Sequence, residues 1–517
     1  ILTEKGRPAN KSFSMHFNQS YSSAEYTRAQ IIKPSGTVTD INIRENASVA
    51  VSRGQMNMNI YNPNRKVYSL NIPGLQKDDI LYLVSRREVK KPRFKNSWVD
   101  YQIMEHTTPI KHYTYLVRGP ASLPLQKIQV RGKHRDKISF THNTDENGRV
   151  YRWEVRDMPR MFREPQMPAL HTVVTRILVS TVPSWEKVSQ WYYRLCDPHL
   201  KKTTPAMKEK TRELTQDGKN RREKIEAVFY YVSQKIRYMG LTLEDEAPGY
   251  EPHDVNLTFE RKYGVCRDKA ALLAAMLRLA GIEAYPVLIN AGPKIDRDVP
   301  LPYFNHAITA AVQENGELLL MDATSDTARE LFPSYLSDCS YLVASPEGAP
   351  LRVSPVTPAA ENMMDIRTTA EIRTDGNLHA STEFEFNGIN DNAYRGHLLK
   401  SNPEKKQRLF EHIAQQMAPG AEVIELTIRP ENLTDMKTDL TAVMRFTAPA
   451  QLAGGDRYRL FEPPMAGTAV GMANFILRNT SLEKREYPLK TRYACGIKET
   501  VNIRMHESAG SLVSLPE

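Results

Sequence analysis

A multidomain α+β chain, with β-sheet units on either side of a middle that places helices first and strands second, follows from three observations. Apolar residues alternate with period two through about the first 180 residues. The period lengthens to that of helices near residue 181, and alternation returns after about residue 355.

Residues 1–180 read as an all-β sandwich. Thr37/Thr39/Ile41/Ile43, Met56/Met58/Ile60, Ile138/Phe140 and Tyr151/Trp153/Val155 each put apolar or β-branched residues on one strand face, with turn signals at Asn62-Pro63-Asn64 and Glu146-Asn147-Gly148. The Met56–Met58 run is taken as a strand with one buried face in preference to a methionine-rich metal site.

Residues 181–350 change character. Ser184 is a helix N-cap before Trp185, Val188, Trp191, Tyr192 and Leu195. Thr204-Pro205 opens a second helix, with proline at its favoured first position. Ile225, Val228, Phe229, Val232 and Ile236 define a third. The fourth spans about 265–280 and stops at Gly281. Strands follow at Tyr285–Ile289, Phe304–Val312 and Leu318–Asp322, so this unit is α+β with an antiparallel sheet. Residues 355–517 return to β, with a hairpin at Asp375-Gly376 and one inserted helix from Pro403 to Met417. A second sandwich is expected there. No internal repeat or low-complexity tract is evident.

The 517 residues allow three or four domains at about 150 residues each. Hydrophobic content is 40% and charged content 25%, the balance of ordinary globular domains. The net charge of +10 is interleaved rather than clustered, which argues against a nucleic-acid footprint. No run of apolar residues is long enough for a membrane-spanning helix. The first residue is Ile1, and a removed signal peptide, hence export to a bacterial periplasm or cell envelope, is the expectation. Cys196, Cys266, Cys339 and Cys495 are too few for a disulfide scaffold and match no zinc spacing; three of them read as buried structural thiols. No cofactor or metal is called for. Glu244-Asp245-Glu246 reads as a solvated turn, and His253-Asp254 as a solvated loop pair.

The exception among the cysteines is Cys266. In Tyr263-Gly264-Val265-Cys266-Arg267-Asp268-Lys269-Ala270, a glycine turn leads into an amphipathic helix, with the thiol in its first turn. Unpaired N–H groups and the helix dipole favour an anion there, and so a thiolate. Arg267 supports the charge; Asp268 opposes it unless it is paired elsewhere. His306, in Phe304-Asn305-His306-Ala307-Ile308, is the base, sharing a face with Phe304 and Ile308. Asp322 ends the next strand and can orient the imidazole. Strand register decides that role. A two-residue Asn315-Gly316 loop sends Asp322 to the wrong face and raises Asp326 or Asn305 instead. A three-residue loop with Gly316 as a left-handed bulge pairs Gln313 with Glu317 and brings Asp322 diagonal to His306.

The Gly-x-Cys-x-Asp-x-Ala pattern, Leu277-Arg278-Leu279-Ala280-Gly281-Ile282-Glu283-Ala284, the strand histidine and the strand-end aspartate together resemble the transglutaminase-like superfamily, with its papain-like core. The likeness is closest to bacterial members whose core lies between β-sandwich domains of unknown function. It covers about 220–345, and Tyr151-x-Trp153, Pro159, Glu164 and Ser184-Trp185 fit the same architecture. The resemblance implies a Cys266–His306–Asp322 triad acting through an acyl-enzyme thioester, on a protein or peptide substrate. It also implies a side-chain oxyanion donor upstream of the cysteine, for which Tyr238 and Tyr250 are the candidates. The sequence departs from these relatives at Val265, Leu320-Met321 and Ala323, where Asp, a Trp-containing pair and Pro are common. Hydrolysis is the leading expectation. The alternatives are an amine-accepting transglutaminase, an arylamine-type acyl transferase, and an inactive peptide- or glycan-binding scaffold.

Overall fold

The structure, a computed structural model, describes residues 1–54, 60–92, 94–241, 249–449, 451–455, 459–478, 480–506 and 513–514. The Met56–Met58 strand and the Glu244–Glu246 turn expected from sequence lie outside these.

Alternation builds the N-terminal part, as two sheet pairs rather than one sandwich. In the first, Ser12–Asn18, Arg65–Asn71 and Ala47–Val51 form one sheet, and Val38–Asp40, Ser22–Ile32 and Ile80–Val89 the other. Tyr26, Ala29, Ile31 and Leu70 are buried between them. In the second, Lys127–Arg131, Arg176–Ser180 and Val99–Ile103 face Ile138–Asp145, Gly148–Met158 and Ile110–Gly119. The alternating Tyr151, Trp153 and Val155 fill that core with Ile177 and Val179. The Thr37–Ile43 alternation yields a strand only at Val38–Asp40, because Asn42 caps a short helix at Ile43–Asn46 by accepting from Arg44 N.

The middle unit follows the expected order. Helices α1 (Trp185–Leu200), α2 (Pro205–Thr215) and α3 (Arg221–Lys235) precede β1 (Arg237–Tyr238), β2 (Gly240–Leu241), α4 (Val255–Arg261), β3 (Tyr263–Gly264) and α5 (Cys266–Leu279). Then come β4 (Ala284–Ile289), β5 (His306–Val312), β6 (Leu318–Met321), β7 (Ser340–Val343) and β8 (Arg352–Val353). The last five form an antiparallel sheet in the order β6-β5-β4-β7-β8. Leu272, Leu273, Met276 and Leu277 of α5 pack in one core with Leu288, Ala311 and Met321 of the sheet. On the other sheet face, Val287, Ile289, Ile308 and Leu320 form a second cluster. Helix α4 had no sequence signal strong enough to be expected.

One expectation about β5 fails. The strand begins at His306, not Phe304, and Phe304 turns into the helical core while Ile308 lies across the sheet. The β5–β6 loop has the bulged form. Gln313 N donates to Glu317 O at 2.8 Å, Gly316 N to Gln313 O at 3.0 Å, and Gly316 has φ +80°. Thr309 therefore pairs with Met321, one residue off the two-residue alternative.

The C-terminal part corrects the second-sandwich expectation. It has one five-stranded sheet, in the order Glu422–Arg429, Leu440–Ala448, Leu378–Phe386, Met363–Ile372, Gly496–Met505. Its buried face is covered by helices Ile389–Leu399 and Pro403–Met417; Phe410 packs edge-on to Phe384 at 5.8 Å. The first of these helices was missed, and it supplies part of the layer that a second sheet would have filled.

Gly316→Ala places a side chain in a left-handed conformation and is expected to cost about 1 kcal/mol. A modest drop in melting temperature, with far-ultraviolet circular dichroism unchanged, checks this.

Candidate active site

Local structure places Cys266 first. Asp268, in the first turn of α5, folds back so that its Oδ2 accepts from Val265 N at 3.0 Å. Its Oδ1 accepts from His253 N at 3.0 Å and meets His253 Nδ1 at 3.0 Å. This corrects the reading of His253-Asp254 as a solvated pair: His253 braces the helix start, and Asp254 meets His199 Nδ1 at 2.7 Å. It also answers the objection that Asp268 opposes a thiolate. Burial would raise its pKa, but the His253 hydrogen bonds and the Arg267 charge lower it overall, so its charge is already matched. Gly264 is required by this fold-back. A Cβ there would lie 2.7 Å from Asp268 Cβ and 3.1 Å from Thr258 Cγ2.

Tyr238 is placed by backbone pairing. Strands β1 and β3 are parallel, with Tyr238 opposite Gly264, and Met239 N donates to Gly264 O at 3.2 Å. Tyr238 thereby lies beside Cys266, near enough for the two to shift each other's titration. Burial, then the nearby Cys266 and Asp322 charges, push its phenol pKa up, so it stays a proton donor. The other oxyanion candidate goes elsewhere: Tyr250 Oη donates to the carbonyls of Pro302 (2.6 Å) and Phe304 (2.9 Å).

His306 opens β5 beside Cys266 on one side, close enough that each shifts the pKa of the other. On the other, its Nε2 donates to Asp322 Oδ2 at 2.9 Å. That assignment leaves Nδ1 for the thiol. Asp322 is buried, yet its pKa falls to about 2. Burial alone would raise it; the His306 charge and hydrogen bond, then Thr324 and Tyr335, outweigh that. Thr324 donates through N (3.0 Å) and Oγ1 (2.7 Å), and Tyr335 Oη donates to Oδ2 at 2.7 Å. These two supporters were not foreseen, although Thr324 lies in an Asp-x-Thr turn of a recognisable kind.

Electrostatics follow from the chain of contacts. Burial pushes the Cys266 thiol up, but the hydrogen bond and charge of His306, then Arg267 and the Ala307 N–H, bring it net below the ordinary value. Burial lowers the His306 pKa, and Asp322 with Cys266 raises it well above the usual imidazole range. The two shifts favour the charged form of each partner in the presence of the other. The other three thiols differ: burial pushes Cys196 up to about 12 and also raises Cys339 and Cys495. Asn305, the fallback orienter, is occupied by Ala291, accepting from its N at 2.8 Å.

A thiol at a helix start, facing a strand histidine across an α-helix and antiparallel-sheet core, defines the transglutaminase-like class. Residues 208–317 match the transglutaminase-like superfamily, and residues 1–162 match DUF3857, a domain family of unknown function. The chain therefore carries a transglutaminase-like domain behind an N-terminal DUF3857 domain. Over its length it shares a fold with a "putative protease" from Parabacteroides distasonis. The two are 14% identical with a TM-score of 0.54, over 90% of this chain and 89% of that one. It also matches a "putative cysteine protease" from Cytophaga hutchinsonii, at 15% identity and a TM-score of 0.21, over 46% of this chain and 76% of that one. The periplasmic domain of TgpA from Pseudomonas aeruginosa, bound to ethylmercury, matches at 16% identity and 0.20, over 58% and 90%. Only the first score is high enough to speak for the fold. No curated protein matches. Among the described residues, no helix is long and apolar enough to cross a membrane.

Asp268→Ala is expected to destabilise the protein by about 1–3 kcal/mol, because the buried Val265 N–H loses its acceptor. A lowered melting temperature checks this.

Proposed function

We propose that this chain is a thiol hydrolase, a protease or amidase, working through Cys266, His306 and Asp322. The observation that carries the reading is His306, bonded through Nε2 to the buried Asp322 and set beside Cys266. His306 takes the thiol proton, and the thiolate attacks the carbonyl carbon of a carboxamide. The Cys266 N–H and the Tyr238 hydroxyl are set to hold the resulting oxyanion. The imidazolium protonates the leaving amine as the C–N bond breaks, which leaves a thioester. His306 then deprotonates a water that attacks the thioester; the products are a carboxylic acid and the restored thiol. The match to a transglutaminase-like domain supports this chemistry class. A primary amine in place of water would give transamidation, and product analysis with an added amine separates the two fates.

Alkylation by iodoacetamide as a function of pH tests the nucleophile. An ordinary thiol of pKa about 8.5 is only about 3% ionised at pH 7. Cys266, whose pKa is lowered, is expected to react at lower pH than the other three cysteines, whose pKa values are raised. In His306→Ala, the midpoint shifts upward and the rate at pH 7 falls about tenfold or more. All four thiols reacting alike and slowly would instead favour an inactive binding scaffold.

Asp322→Asn removes the charge that raises the His306 pKa. The ion pair exists between the thiol and imidazole pKa values, so its window closes from the alkaline side. The upper limb of the pH–rate profile for acylation is expected to move to lower pH.

Tyr238→Phe separates oxyanion stabilisation from thiol reactivity. The acylation burst with p-nitrophenyl acetate is expected to slow by about 10²-fold. Iodoacetamide alkylation, which develops no oxyanion, stays near the parent rate.

A further inference from the structure

A cleft of about 790 Å³ lies between the second N-terminal sheet pair and the 290–305 loop of the transglutaminase-like domain. Asn290 and Asn305 line one end of it. Asn290 follows Ile289, the strand partner of His306, and Asn305 immediately precedes His306. The cleft is therefore lined by the immediate neighbours of the His306–Ile289 strand pair.

Its walls are aromatic. Tyr101 meets Tyr303 edge-on at 5.7 Å and His171 at 5.6 Å. Its charge is unbalanced at one point. Arg131 and Arg176 are direct cross-strand partners, an arrangement that repels. Arg131 is matched by Asp296 at 3.1 Å and Asp298 at 2.5 Å. Arg176 is half-buried and donates from Nη1 to Val174 O at 3.0 Å; among the described residues no carboxylate lies within ion-pair distance of it. The cleft's own acids are engaged. Asp296 serves Arg131, and Asp100 accepts from Gln102 at 2.7 Å and Tyr115 at 2.8 Å. Burial lowers the pKa of Arg176, Asp296 offsets this only in part, and the Arg131 charge adds to the lowering. A partly desolvated guanidinium with no carboxylate at ion-pair distance, beside a cleft, is suited to receive an anion.

We propose that Arg176 binds a carboxylate of the peptide substrate, so that this cleft, shared by the DUF3857 and transglutaminase-like domains, selects acidic peptides. The proposal rests on the reading of Cys266 as an amide-attacking nucleophile, since it places the carboxylate on the same chain as the scissile bond. The carboxylate belongs either to an acidic side chain or to the peptide's own C-terminus.

Binding to the Cys266→Ala protein needs no turnover, so its outcome stands apart from that of the alkylation test. Three acetylated tetrapeptides are titrated by calorimetry: one with glutamate at the third position and an amidated C-terminus, its glutamine counterpart, and the glutamine peptide with a free C-terminus. The glutamate or the free-carboxylate form is expected to bind at least tenfold more tightly than the neutral one, and which of them does so identifies the source. Adding Arg176→Gln removes the preference, and Arg176→Lys restores part of it. Melting temperatures verify that both variants fold. Equal or absent binding of charged and neutral forms, or a preference that survives Arg176→Gln, overturns the proposal.

Discussion

The start of α5 hangs on a single buried carboxylate. Asp268 holds the turn before the helix from one side through Val265 and the segment leading to α4 from the other through His253. The Cys266 sulfur is fixed because the two residues before it and the two after it are fixed. The arrangement has a physical cost, since a buried charge must be matched to be tolerated. Here the match comes from two main-chain N–H groups, an imidazole and the Arg267 charge. The same pairing keeps the carboxylate from cancelling the positive end of the helix that a thiolate exploits.

Against that fixed sulfur, the strand register sets everything else. A strand shifted by one residue presents its other face. The three-residue loop at Gly316 keeps Asp322 on the side of His306, where Thr324 and Tyr335 complete its shell. With three donors and an imidazolium around it, Asp322 stays ionised although buried. That in turn keeps the imidazole raised and the thiol lowered. A chain of three residues is thus stabilised from its far end, by a hairpin loop that touches none of them.

Much of this was legible in the sequence because it is local. Helix periods, the N-cap at Thr204 and the stop at Gly281 are decided within a few residues, whereas the loop at Gly316 is left between two registers. What was missed is non-local. His253 looked solvated because nothing in its own neighbourhood says that Asp268 lies above it. Tyr238 and Tyr250 were indistinguishable until the parallel pairing of β1 with β3 separated them. Phe304 continues the alternation of β5, yet the loop bonded to Tyr250 peels it away into the helical core. In the C-terminal part, helix Ile389–Leu399 is short and buries the polar Asn390, Asp391 and Arg395, so its weak apolar signal let a sheet be expected where helices pack.

Lys269 shows how the same helix ties Cys266 to its surroundings. It is buried one turn into α5, and its Nζ donates to the carbonyls of Ser233 at 3.1 Å and Ile236 at 2.5 Å. Burial brings its pKa down to about 8, while Asp322 and Asp326 act the other way. An amine with that pKa invites a catalytic role, but both of its observed bonds go to main-chain oxygens. Those oxygens belong to the end of α3 and to the residue just before β1, the strand that carries Tyr238. Lys269 is therefore better understood as a clamp. It satisfies carbonyls that the end of α3 leaves open, and it locks the helix bearing Cys266 to the strand bearing Tyr238. The separation of Cys266 from Tyr238 is then tied to one buried side chain as well as to the pairing of β1 with β3.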